Sequence, residues 1–216
     1  STLILVPILL PWFGCIVLSL LPDEKEKLLH TSAVMFGSLT ALSAISLLFL
    51  STSHQFRIAN PFFFGDFVLS IHVISLMLTL IASIIGGLAI VFSTSYMQNE
   101  KQLPRYYAFI LLFIGSMNGL VLSENLFFAF LFWEMTAVCS YALISFYNDN
   151  PDAVRGGMKA FIITQLGGIG MLVGGFILQS QTSSFMIQDM LDAASTIPIN
   201  LLGIAGIGFI LAAAAK

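Results

Sequence analysis

NLFFAFLFWEMTAVCSYALISFY occupies residues 125–147, and Glu134, near its middle, is the only charged side chain in it. At about 1.5 Å per residue, a helix of this length crosses the roughly 30 Å hydrocarbon core of a bilayer. An acid at that depth costs about 2.5–3.5 kcal/mol on insertion scales, and such residues typically belong to ion or proton paths. Glu134 is therefore the first functional candidate. Its same-face neighbours on a helix are Phe127, Phe130, Leu131, Ala137, Val138 and Tyr141, and the small Ala137 admits another helix closely. Burial of a carboxyl favours its neutral form, and a nearby cation favours its charged form. The competing reading is a protonated or hydrogen-bonded glutamate that only locks helices together.

The rest of the chain has the same character. It is 58% hydrophobic and 9% charged, with a mean hydropathy of +0.98. Soluble domains carry about 25% charged residues, so a water-soluble globular domain is excluded. The net charge of −3 decides little, because charge in membrane proteins is informative loop by loop. Seven spans are expected, at 3–21, 31–50, 69–95, 107–123, 125–147, 160–179 and 200–216. Only Ser123-Glu124-Asn125 joins the fourth to the fifth, which predicts a tight hairpin. The loop at 51–68 holds turn signals at Asn60-Pro61 and Gly65-Asp66. The loop at 181–199 holds Gln188, Asp189 and Asp192, enough for a short amphipathic helix. The final span stops at Lys216 without a polar exit, so the chain reads as the front part of a longer protein.

Loop charge sets the expected orientation. Lys25, Lys27, Lys101, Arg105, Arg155 and Lys159 follow odd-numbered spans, and only Arg57 follows an even-numbered one. By the positive-inside rule the N-terminus lies outside. No basic stretch precedes the first apolar run, which argues against a cleaved signal peptide.

Few other residues suit chemistry. Lys216 lies about 24 Å into its span at helical rise. It either snorkels to the interface or lies within the membrane and answers Glu134. At an assumed separation of ~7 Å and an effective dielectric of ~20, their Coulomb attraction is roughly 2.4 kcal/mol. Lys159 is a secondary candidate near the inner surface, and Arg155, one turn before it, reads as an interfacial anchor. His72 suits packing better than titration. His30 and His54 read as loop residues without partners, and Glu124 and Asp66 as solvated. Cys15 and Cys139 read as reduced packing residues. Gly167, Gly168, Gly170, Gly174 and Gly175 fail the context of a dinucleotide fingerprint. Gly170 and Gly174 instead form a GxxxG step for close helix packing. No metal spacing, phosphate loop, redox-centre ligand or nucleic-acid patch is visible. No cofactor, no metal, no nucleic-acid partner and no bond chemistry are expected of this chain.

FSTSYMQNEKQLPRYYAFILLFIGSMNGLVLSE at 92–124, the FWE…CSY…LI core that follows, and GMKAF at 157–161 resemble the antiporter-like subunits of respiratory complex I. The large subunits of Mrp-type cation/proton antiporters and of related membrane-bound hydrogenases are similar. The resemblance covers most of 62–216. It implies an all-α polytopic membrane helix bundle, the front half of a 14-helix subunit built on inverted five-helix repeats. Residues 1–105 would be the N-terminal helices and loops, and residues 106–216 the start of the proton-translocating core. It further implies that Glu134 is the fifth-helix glutamate facing a neighbouring subunit and that Lys216 is the seventh-helix lysine. Two departures, Gly168 in place of a common acid and Ile74-Ser75 in place of Asp-Gly, lean toward the Mrp or hydrogenase branch, or toward an internal antiporter-like subunit.

The resulting expectation is a proton-translocating subunit of a redox-driven NADH/quinone oxidoreductase of complex I type or a related assembly. It would lie in the cytoplasmic (inner) membrane, or an organelle inner or thylakoid equivalent, among other hydrophobic subunits and lipid. The alternatives are an Mrp-type Na⁺/H⁺ antiporter subunit, a stand-alone secondary transporter, or a purely structural membrane subunit.

Overall fold

A computed structural model describes residues 2–50, 54–59 and 64–216. The described residues are all-α apart from one small two-stranded sheet. Six helices are long and apolar enough to cross a membrane, and a seventh apolar helix of 17 residues falls just short. Two compact units divide the chain: Ser1–Phe56 with Ser70–Leu122, and Arg57–Leu69 with Ser123–Lys216.

The first unit holds α1 (Val6–Ser19), α2 (Glu26–Ser46), α3 (Val73–Tyr96) and α4 (Leu103–Leu122). α1 packs on α4 and α2, and α3 packs on α2 and α4. Its polarity is inverted relative to a soluble protein. α3 turns Ser75, Thr79, Ser83 and Gly87 inward at one-turn intervals and leaves Ile74, Met77, Ile81, Ile85 and Phe92 exposed. Small inward residues let helices approach where lipid removes any hydrophobic drive between them. Pro11 lies inside α1. It has no N–H to offer the Pro7 carbonyl one turn earlier. Asn118 of α4 supplies the missing donor, Nδ2 to Pro7 O at 2.8 Å, and also bonds Ser83 Oγ at 3.0 Å.

β1 (Gln55–Ile58) and β2 (Phe67–Ser70) form the sheet. The third span therefore starts as a strand, a short pattern that an apolar-run reading cannot separate from helix. Gly65 adopts φ +73°, the left-handed turn expected at Gly65-Asp66. The Asn60-Pro61 signal lies outside the described residues. Asp66 is not merely solvated, because it is ion-paired with Arg57.

The second unit holds α5 (Leu126–Ile144), α6 (Pro151–Thr182), the short α7 (Ile187–Asp192) and α8 (Ile199–Ala215). α6 packs on both α5 and α8. Within the first unit α4 packs on α1 and α3, and within the second α5 packs on α6. Residues 123–125 do not close a turn. Glu124 N–H donates to Val68 O, Leu126 N–H to Phe185 O, and Ile187 N–H to Glu124 O, each at 2.9 Å. Fully buried Asn125 completes this joint. Its Nδ2 donates to the carbonyls of Phe64 and Asp66, and its Oδ1 accepts the Phe127 and Phe128 N–H groups as the cap of α5.

α6 begins nine residues before the expected 160. Asn150 caps it, Pro151 sits at its first position and Asp152 in its first turn. That is a helix-start pattern, outweighed in the sequence reading by the polarity of 148–159. Its 32 residues make it about 48 Å long, more than a bilayer core requires. α7 is the short helix expected in 181–199.

Asn125→Ala removes a cap and strands two carbonyls, a combined loss of roughly 2–4 kcal/mol. The expected outcome is a clearly lower thermal midpoint for the full-length protein in detergent. Asn125→Ser, which keeps a capping oxygen, should fall between.

Candidate functional site

α5 is apolar on every side, so its own pattern does not say which face turns inward. The packing answers that: α6 lies against it, and Glu134 points its carboxyl there. Gln165 Nε2 of α6 donates to Glu134 Oε2 at 2.5 Å. The other oxygen, Oε1, is buried without a hydrogen-bond partner. It rests against Gly168, where an added Cβ would overlap it and also come within 3.7 Å of the Phe130 ring. Gln165 and Gly168 are three residues apart and share one helix face. One supplies the donor and the other supplies the space.

Lys216, just past α8, reaches the same stretch of α5. Its Nζ donates to Thr136 Oγ1 at 2.6 Å and to the Trp133 carbonyl at 3.2 Å. It also lies 5.0 Å from the centre of the Trp133 ring, a cation–π distance. Thr136 Oγ1 in turn donates to the Trp133 carbonyl at 2.7 Å. The ammonium thus rests on neutral acceptors beside Glu134, within electrostatic reach of its carboxylate but not bonded to it. α8 is carried there by glycine contacts with α6. A Cβ on Gly170 would come 2.8 Å from the Gly208 carbonyl, and one on Gly174 2.9 Å from that of Ala205. The GxxxG step is therefore a backbone-to-backbone seam.

An acid with one bare oxygen stands beside an amine held only by neutral groups. Each can change its protonation without first breaking a direct ion pair, while the charge of one still acts on the other. The structure brings Glu134 and Lys216 together. It leaves Lys159 exposed on α6, six residues before Gln165 and outside the cluster's hydrogen bonds. Arg155 faces Asp152 at the exposed start of α6, 3.8 Å away. His72 caps α3 with Ser75 in a reciprocal box.

Gln165, Trp133 and Thr136 escape a reading based on charge. Gln165 has the clearest sequence signal, an amide in an apolar run. Trp133 and Thr136 have none, because only the tertiary position of Lys216 gives them a partner. His30 is not a loop residue without partners but sits on α2, bonded to Tyr107 and Glu26. Four further charges, Asp23, Glu24, Lys25 and Lys27, give the Glu26 end of α2 the look of a loop.

Residues 123–216 match the family model described as NADH:quinone oxidoreductase/Mrp antiporter, TM. Residues 63–107 match that of the NADH-ubiquinone oxidoreductase (complex I) chain 5 N-terminus. The Na⁺/H⁺ antiporter subunit A1 of Staphylococcus aureus, strains JH9 and Newman, is 39% identical over 137 residues, 63% of this chain. The chain spans 17% of the length of those relatives. Among solved structures, the Mrp complex from Dietzia superposes over all of this chain and 24% of its own, with a TM-score of 0.88 at 20% identity. An archaeal membrane-bound sulfane sulfur reductase does so over 33% of its own chain, with a TM-score of 0.81 at 18% identity. At those identities the superpositions speak for the fold. The two family models and the antiporter relatives identify the chain as belonging to the antiporter-like membrane subunits of the complex I/Mrp family.

Proposed function

We propose that this chain contributes to proton translocation by an antiporter-like subunit within a multi-subunit membrane assembly, and that Glu134 and Lys216 are its coupled protonatable pair. The observation that carries this reading is the Glu134 carboxyl turned inward against Gly168, with one oxygen on Gln165 and one bare, beside the Lys216 ammonium. A carboxyl that only stabilised packing would have both oxygens satisfied.

In this reading residues 106–216 open the translocating core. A change in the charge of Glu134 alters the proton affinity of Lys216, and Thr136 with Trp133 holds the ammonium when it is not drawn to the acid. Lys159, at the exposed end of α6, feeds protons from the side that the loop charges assign to the interior, with the N-terminus outside. The chain carries out no bond chemistry of its own. Its partners are other hydrophobic subunits and the bilayer of a cytoplasmic membrane. The 39% identity to Na⁺/H⁺ antiporter subunits favours an Mrp-type cation/proton antiporter. A redox-driven assembly of complex I type is the second reading, supported by the family model named for NADH:quinone oxidoreductase. Co-purification separates them: flavin or iron–sulfur subunits favour the redox assembly, and small hydrophobic subunits alone favour Mrp.

Glu134→Gln in the full-length protein, reconstituted with its partners in sealed vesicles, is expected to cut proton translocation by at least about tenfold with assembly intact. Unchanged translocation overturns the role. Gly168→Ala meets only the flexible end of Glu134, so stability should hold. The displaced carboxyl should lose Gln165 and slow translocation. Wild-type rates in that variant count against the close contact mattering.

A further inference from the structure

The first unit contains a second group of protonatable side chains. His30 Nδ1 lies 2.6 Å from Tyr107 Oη of α4, and His30 Nε2 lies 3.2 Å from Glu26 Oε1, one turn earlier on α2. The imidazole meets the phenol edge-on, with ring centres 5.5 Å apart. Ser93 Oγ of α3 donates to Tyr107 Oη at 3.4 Å. Tyr107 and Ser93 are fully buried, whereas the Glu26 side chain is 34% exposed and that of His30 14%. A chain of polar contacts therefore runs from the surface into the apolar interior. No packing need explains it, because phenylalanine and leucine would fill the same space without a polar cost.

The surface end of this chain also grips a loop. Glu26 Oε1 accepts the Asn99 backbone N–H at 3.1 Å. Asp23, just beyond α1, accepts those of Gln102 and Leu103 at 2.7 and 3.0 Å. Asn99 and Gln102 have φ of 62° and 65°, in the left-handed region that disfavours non-glycine residues. The connection between α3 and α4 is thus held by two carboxylates in a conformation it would not choose alone.

We propose that Glu26 and His30 form a proton-binding clasp that couples one exchangeable proton to the α3–α4 connection and, through Tyr107, to the buried hydroxyl of Ser93. Imidazole changes charge in the physiological range. With neutral His30, Nε2–H donates to the Glu26 carboxylate and Nδ1 accepts the Tyr107 O–H. When a proton binds Nδ1, that nitrogen donates to Tyr107 Oη, the phenol O–H turns to Ser93 Oγ, and the serine hydroxyl donates to the Ile90 carbonyl, 2.7 Å away. The imidazolium then fixes the Glu26 carboxylate in a charge-assisted bond, which holds Oε1 on the Asn99 amide. Other charged and titratable groups border the clasp. Tyr106 packs edge-on against Tyr107 and shares a hydroxyl contact with Tyr96 of α3. Glu24, Lys25 and Lys27 line the same surface end. The imidazole itself is bonded to Tyr107 on one side and to Glu26 on the other.

The test is amide hydrogen exchange of residues 97–103 in the full-length protein with its partners, corrected for intrinsic rates, at about pH 5.5 and about pH 8. Protection should be at least about threefold greater at the acid end, and His30→Gln should abolish that dependence. A pH-independent wild type, or a glutamine variant with the wild-type dependence, overturns the proposal. Where the glutamine variant does not assemble, Tyr107→Phe keeps the imidazole and both carboxylates. Its gain in protection at the acid end should change by at least about twofold, and an unchanged gain overturns the proposal equally.

Discussion

A carboxyl in the middle of an apolar helix must find donors, a cation or a proton inside the protein, because lipid offers none. Glu134 meets that demand only in part. One oxygen takes the Gln165 amide and the other rests bare against Gly168. The nearest ammonium is tied to Thr136 and the Trp133 carbonyl instead. A direct ion pair at this depth would be costly to open. An incompletely satisfied acid with a cation in reach is easier to shift between states. The glycine seam between α6 and α8 keeps that reach short, because backbone rather than side chain sets the spacing.

The same rule governs groups with no charge. Pro11 strands a carbonyl inside α1, and Asn118 answers it from α4. Residues 123–125 leave regular helix, and the carbonyls of Val68 and Phe185 with the side chain of Asn125 answer that break. Both breaks are matched by an asparagine, and the second also by short strand-like contacts. These polar residues are thus constrained by local backbone demand. In the Glu26–His30–Tyr107 chain only Glu26 answers such a demand, at the Asn99 amide, while His30 and Tyr107 meet through their side chains.

Much of the fold was legible because apolar run length and helix rise leave few alternatives in a membrane. The spans at 107–123 and 125–147 appear as α4 and α5 with small shifts. The start of α6 was obscured, since Asp152, Arg155 and Lys159 look like loop until the Asn150-Pro151 cap is weighed against them. The end of β2 falls inside the expected third span because three apolar residues and a serine carry no helical or strand period of their own. Of the site, Glu134 stood out by its isolation. Thr136 did not, because a hydroxyl in a membrane helix can satisfy itself on its own backbone, as Thr136 does on the Trp133 carbonyl.

Sequence alone determined that this is a polytopic helical membrane protein with an acid at the centre of its fifth span. Burying a charge is expensive enough to be read from composition. Only the tertiary structure decided that the acid faces α6, that glycine makes room for it, that Lys216 rests on Thr136, and that His30 joins Glu26 to Tyr107. These depend on which faces of apolar helices meet, and a helix apolar on every side does not encode its own rotation.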